Sequence, residues 1–155
     1  GLIAVATVKL VPVDKDYWRA VTKLKVGESQ SDWVAPNWYS IIQALFEGYD
    51  SKAIVVDEEF VGYTMYEINT DKHTVFVDRL MLAEGQQGKG YGRAALSQIL
   101  DEMRQREDIH KSVISFVPGN DAAEHLYKSL GYIDTGRIEH DEKVFEMDLR
   151  ANKDN

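Results

Sequence analysis

Between Leu80 and Arg93 the chain reads Leu80-Met81-Leu82-Ala83-Glu84-Gly85-Gln86-Gln87-Gly88-Lys89-Gly90-Tyr91-Gly92-Arg93, with glycines at 85, 88, 90 and 92. No other stretch limits the fold so tightly. Before it, His73 to Leu82 is rich in β-branched, aromatic and aliphatic residues, the pattern of a strand. After it, Ala94, Ala95, Ile99, Leu100 and Met103 fall on one helical stripe. A strand thus enters a long helix through a glycine loop. Glycine lets main-chain N–H groups approach an anion, and the helix adds the positive end of its dipole. A pyrophosphate cradle and a tight turn that needs positive φ both fit the glycines alone. Spacing removes the common phosphate loops. Gly88-Lys89 is followed by Gly90-Tyr91, where a P-loop requires Ser or Thr. A dinucleotide fold places its loop after the first strand of a parallel unit, whereas this one lies past mid-chain.

The remaining pattern gives the surroundings of that loop. Val5 to Val13 alternates as a strand and stops at Pro12, and Asp16 to Lys25 reads as a helix with Trp18, Val21, Thr22 and Lys25 at helical spacing. Ser31 to Ser40 is irregular and aromatic, and a second helix carries Ile41, Ile42, Leu45 and Phe46 up to Gly48. Lys52 to Val56 and Phe60 to Tyr66 form a hairpin about Asp57-Glu58-Glu59. Lys111 to Val117 is a strand, Asp121 to Leu130 a helix, and Tyr132 to Arg137 with Lys143 to Leu149 a closing pair of strands. This order predicts an α+β fold with a mixed, mostly antiparallel sheet flanked by helices. With 155 residues and no linker or repeat, one domain over 1–155 is expected.

Composition excludes some chemistries. There is no cysteine, hence no disulfide, thiolate metal site or thiol acyl-enzyme. His73, His110, His125 and His140 are scattered without ligand spacing, so no metal is expected. A net charge of −8 argues against nucleic acid and anionic membranes as partners. Acidity can favour a cationic substrate, and it also serves plain solubility. The longest apolar runs, such as Ala53 to Val56, are too short to cross a bilayer. The apolar start from Gly1 to Ala6 has no basic lead and reads as strand, which makes the cytoplasm the expected location.

Gln87-Gly88-Lys89-Gly90-Tyr91-Gly92 resembles the coenzyme A signature of the GNAT N-acetyltransferases, glutamine-x-x-glycine-x-glycine. Asn120-Asp121-Ala122-Ala123-Glu124-His125-Leu126-Tyr127-Lys128-Ser129-Leu130-Gly131-Tyr132 is similar to a second run of that family near the C-terminus. The resemblance implies a sheet splayed near its fourth strand, acetyl-coenzyme A as cosubstrate, and direct attack by an amine. It implies main-chain contacts to the pantetheine arm from Leu80, Met81 and Leu82. Gln87, Gly88, Lys89, Gly90, Tyr91, Gly92 and Arg93 would hold the pyrophosphate. Asn120 would bond the pantetheine arm, besides serving as N-cap of the helix that Gly131 ends. Tyr127 would protonate the departing thiolate, against the plainer reading of a core tyrosine on the face of Ala123 and Leu130.

A protonated amine cannot attack, so some group must remove its proton. Asp78 alternates with Leu80 and Leu82, which puts a carboxylate on an apolar face. It could act as general base through a water or pair with a cation such as Arg79. Asp78-Arg79 and the segment Gln30…Trp33-Val34-Ala35-Pro36-Asn37, with Ser40 and Ala44, resemble bacterial spermine/spermidine acetyltransferases. A polyamine acceptor is therefore expected, with Glu28, Asp32 and Glu67 as candidates for its distant ammonium, or else as surface acids. Glu84 departs from the proline many members carry. Members are often dimers, so a homodimer is expected. The alternatives are another amine acceptor (amino acid, aminoglycoside or protein) and a non-catalytic acyl-coenzyme A sensor, which would not need the proton of Tyr127.

Overall fold

The computed structural model describes residues 7–27 and 35–150. Its elements are β1 (Val8–Pro12), α1 (Trp18–Thr22), α2 (Asn37–Glu47), β2 (Asp50–Val56), β3 (Glu59–Asn69), β4 (Thr74–Leu82), α3 (Tyr91–Arg104), β5 (Lys111–Phe116), α4 (Asp121–Leu130), β6 (Ile133–Glu139) and β7 (Glu142–Asp148). Their order is the expected one. The strands form a mixed sheet in the order β1-β2-β3-β4-β5-β7-β6. β1 with β2, β5 with β7 and β6 with β7 are antiparallel, while β4 and β5 are parallel from Thr74↔Lys111 to Val77↔Ile114. Two-residue turns close the β2–β3 and β6–β7 hairpins, with Asp57 and Glu58 at φ 50° and 65° and His140 and Asp141 at φ 51° and 64°.

The chain falls into two compact units, Gly1–Met65 with Arg79–Ala95, and Tyr66–Asp78 with Leu96–Asn155. β3, β4 and α3 contribute residues to both. In the first unit, one cluster joins Val21 of α1 and Ile41 and Ala44 of α2 to Ala53, Tyr63, Met65 and Met81 of the strands. Another joins Val8, Ile54, Val56 and Val61 to Ala95 of α3, with Leu80, Leu82, Tyr91 and Ala94 packed against it. Alternation along β4 therefore sends Met81 to the α1–α2 face and Leu80 and Leu82 to the α3 face.

On β3 the alternation changes phase. Phe60 packs on the α1–α2 face, Val61 on the α3 face and Tyr63 on the α1–α2 face again. Gly62 sits at the change, and a Cβ there would lie 2.3 Å from the Met81 carbonyl oxygen. Only glycine allows that approach.

In the second unit the buried residues include Leu96, Ile99, Leu100 and Met103 of α3, Ile114, Phe116 and Phe145 of the strands, and Leu149 just after β7. The Arg150 guanidinium donates to the carbonyls of Arg104 at 2.9 Å, Ile109 at 2.7 Å and Arg106, gathering the end of α3 and the turn after it.

One sequence expectation is corrected. The first helix spans Trp18–Thr22 and not Asp16 to Lys25. Asp14 accepts from the N–H groups of Asp16 and Tyr17, so the turn before Trp18 is built on that carboxylate. At the other end the carbonyl of Lys25 is used by Glu84 and not by a helix. On α2 the inward residues are Asn37, Ser40, Ile41 and Ala44, leaving Ile42, Leu45 and Phe46 exposed.

Candidate active site

The donor side is built in the first unit. Leu80, Met81 and Leu82 spend their side chains in the two clusters, which leaves their main chain as the part available to a ligand. Ala83 N–H donates to Val61 at 2.8 Å and ends the ladder, and Gln86 N–H turns back to Ala83 at 2.9 Å. Gly85, Gly88 and Gly90 then adopt φ of 82°, 75° and 83°, the left-handed region that side chains strain to enter. A Cβ at Gly88 or Gly90 would meet no atom within 4 Å, so conformation and open approach, not packing, call for glycine. Ala94 N–H reaches back to Gly90 at 3.1 Å, which makes Gly90 the entry of α3. The first-turn N–H groups of Tyr91 and Gly92 consequently have no intrahelical acceptor. The first turn of α3 holds no acid. A pyrophosphate fits such a loop: oriented N–H groups, positive dipole end and no carboxylate in that turn. Lys89 is exposed and reaches Gln86 Oε1 at 3.4 Å, while Gln87 and Arg93 are exposed and Tyr91 and Gly92 half-buried.

The α1–α2 connection adjoins the donor strand. Glu84 N–H donates to Lys25 at 2.7 Å, a bond that proline at this position could not make. The residue that departs from the family habit thus stitches the connection to the end of β4. Asn37 is buried, and its Nδ2 donates to Val21 at 2.9 Å and lies 3.6 Å from the Met81 sulfur. That amide ties the start of α2 to α1 and β4 together. A cavity of about 280 Å³ opens here, walled by Thr22, Leu24, Lys25, Val26, Pro36, Asn37 and Met81 among others. This tie was not legible in the sequence, because the partners of Asn37 lie 16 and 44 residues away.

The second unit carries the other motif. Asn120 caps α4, accepting from Ala123 N–H at 3.3 Å, and Gly131 ends the helix at φ 109° with Tyr132 N–H bonded to Tyr127 at 3.0 Å. Both caps are as expected. Asn120 is half-buried, and with Oδ1 engaged its Nδ2 is the side chain's donor to any ligand. Tyr127 is 7% exposed, edge-on to Phe116 at 5.6 Å and to Tyr132 at 5.9 Å. Burial first, then Tyr132 and Glu142, pushes its phenol well above the usual range, so it holds its proton at neutral pH. Burial also pushes Tyr132 up to about 12, against the hydrogen bond it shares with Ser112 at 2.7 Å and the charge of Arg104.

Other predicted residues are more scattered. Asp78, the last residue of the second unit on β4, is half-buried with its Oδ2 enclosed. Glu67 is half-buried on β3. Glu28 and Asp32 lie outside the described residues. Among the described residues no group of three or more His, Cys, Asp or Glu is arranged to hold a metal. Among them also, no helix is long and apolar enough to cross a membrane.

A glycine loop of this geometry, joining an apolar strand of a mixed sheet to the start of a helix, is built to receive an anionic group such as a pyrophosphate. The model of the acetyltransferase (GNAT) family matches residues 13–132, most of the chain, and the chain belongs to that family: it is an acetyl-coenzyme A-dependent N-acetyltransferase. It is 23% identical over 151 residues to the spermine/spermidine N(1)-acetyltransferase of Bacillus subtilis, with 92% of this chain and 99% of that protein covered. The crystal structure of spermidine N-acetyltransferase from Vibrio cholerae in complex with CoA and spermine is similar with a TM-score of 0.75 at 17% identity, covering 92% of this chain and 95% of that one. The dodecameric structure of spermidine N-acetyltransferase from Vibrio cholerae, in an intermediate state, gives 0.71 at 16% identity, covering 92% and 94%.

Proposed function

We propose that the acceptor is a polyamine such as spermidine or spermine, acetylated by direct amine attack. The observation that carries this reading is the likeness to a spermine/spermidine acetyltransferase along 99% of that relative's length. The net charge of −8 supports it, since a polycation is drawn to an acidic surface.

Acetyl-coenzyme A supplies the activated acetyl group and the thiolate leaving group. The residues proposed to hold it are Leu80, Met81 and Leu82 through main-chain groups, and Gln87, Gly88, Lys89, Gly90, Tyr91, Gly92 and Arg93 at the pyrophosphate. A main-chain N–H in the strand segment would stabilise charge developing on the carbonyl oxygen. Asn120 Nδ2 would donate to the pantetheine arm. Tyr127, held neutral by burial, keeps a proton to give. The same dryness that disfavours phenolate disfavours a thiolate, which helps the transfer. Asp78 would remove the amine's proton through a water. The cavity beside Asn37 and Met81 is the proposed acceptor entrance, with Glu28, Asp32 and Glu67 as candidates for the distant ammonium. We read the chain as one cytoplasmic domain, because the family match runs across residues of both compact units, and as a homodimer.

Thiol release measured over an amine panel tests the acceptor. Spermidine and spermine should show a kcat/KM well above that of lysine, and added salt should erode the preference because charge attraction is screened over about 10 Å at 0.1 M. A flat profile across the panel overturns the polyamine reading and leaves the family standing.

A further inference from the structure

We propose that the outward face of α2 is the surface on which a second copy of this chain docks. A helix on the surface of a globular domain ordinarily turns polar residues outward. α2 does not. Its inner side buries Asn37, Ser40, Ile41 and Ala44, and its outer side presents Trp38, Tyr39, Ile42, Leu45 and Phe46, which are 55%, 50%, 49%, 75% and 86% exposed. Trp38, Ile42 and Leu45 follow i, i+4, i+7 spacing, and Phe46 lies one turn beyond Ile42, so they form one continuous face. A patch of this kind marks an interaction site. The only charged residue of the helix is Glu47.

A groove of about 660 Å³ lies along the same helix, walled by Trp18, Trp38, Ile42, Leu45 and Tyr49 among others. Phe46 is not part of that wall. A projecting ring next to an apolar hollow is self-complementary, because a two-fold contact seats the ring of each copy against the hollow of the other. Charge selects the occupant. Two copies each carrying −8 repel except where they meet through an uncharged face, and the outer side of α2 is such a face. The groove wall also carries Asp14, Asp50, Lys15 and Lys52, two acids and two bases that cancel, so a strongly charged partner of either sign finds no net complement there.

The rival surface is β6, at the end of the strand order, with Ile133 and Ile138 72% and 60% exposed. It carries Asp134, Arg137 and Glu139, and its pairing with β7 is irregular between Asp134 and Ile138. Charges and an irregularity are the usual guards of a sheet edge against pairing with another chain.

The inference rests on the homodimer reading and is independent of the acceptor. Sedimentation velocity on the full chain, without substrate, measures it directly. Wild type should run at a multiple of the 17.6 kDa chain mass, and Leu45→Glu with Phe46→Glu should lower that mass while far-UV circular dichroism stays unchanged. Ile133→Glu with Ile138→Glu should leave the mass as it is. Because the chain has no cysteine, mixing Phe46→Cys chains with Trp38→Cys chains, whose cysteine lies in the wall of the hollow, supplies a second readout, an oxidised covalent pair whose formation competes with excess wild-type chain. A wild type at 17.6 kDa at tens of micromolar overturns the proposal, as does an α2 variant of undiminished mass or dissociation by the β6 pair. Failure of the amine assay would leave every one of these masses untouched.

Discussion

Tyr127 can be both core and acid, and one substitution separates the contributions. Tyr127→Phe keeps the ring against Phe116 and Tyr132 and removes only the hydroxyl. With the phenol as proton donor, kcat should fall about 10²-fold or more while the unfolding free energy changes by about 1 kcal/mol at most. Near-normal turnover would leave Tyr127 a packing residue. Its burial was legible from its helical register with Ala123 and Leu130. Gly62 was not legible, because what it must admit is a carbonyl of Met81 from another strand. Gly62→Ala should lose about 2 kcal/mol or more in urea unfolding, the scale of overpacking against atoms that cannot move aside. Arg150 was equally silent in the sequence, since a lone arginine near the end of a chain gives no sign of the carbonyls it collects.

Elements with end signals in the sequence were read well. Asn120 and Gly131 bracket α4, and its bounds Asp121–Leu130 were anticipated to the residue. α1 lacks a capping side chain at Tyr17, and its spacing pattern ran past the real ends. α2 was found where expected, but apolar residues lie all round it, so periodicity alone does not say which side faces the core. The glycine loop was placed correctly as a strand-to-helix joint, and the conformation of Gly90 now sharpens its test. Gly90→Val forces a branched side chain to φ 83° and should abolish the rise in melting temperature that coenzyme A gives the wild type. The connection after α1 offers another. Glu84→Pro removes the N–H that holds the Lys25 carbonyl, and is expected to raise the amine KM while leaving the coenzyme A shift near that of wild type. A lost coenzyme A shift would mean that this bond supports the donor loop instead.

For the whole molecule, titratable groups bound the pH range of stability from both sides. Tyr127 and Tyr132 have raised folded values, so their stabilising effect is complete below the ordinary phenol value of 10.0 and is lost as pH climbs through the folded values. Unfolding free energy should decline above about pH 10, and Tyr132→Phe should flatten that decline relative to its own neutral baseline. On the acid side, the hydrogen bond from Arg137, helped by Lys111, holds Glu146 below its ordinary 4.5. Its contribution is present above 4.5 and disappears as pH falls through the lowered value, so Glu146→Gln should blunt the acid limb of a denaturation curve. The element order and the mixed sheet were legible because strand and helix periods alternate cleanly along the chain, but the division into units was not, since no linker marks it. That division has a consequence for inheritance. The units alternate along the gene at 65/66, 78/79 and 95/96, so a single crossover between two related genes cannot exchange either one whole. The glycine loop and the α4 motif fall in different units, and one crossover between them separates the two motifs but splits the second unit.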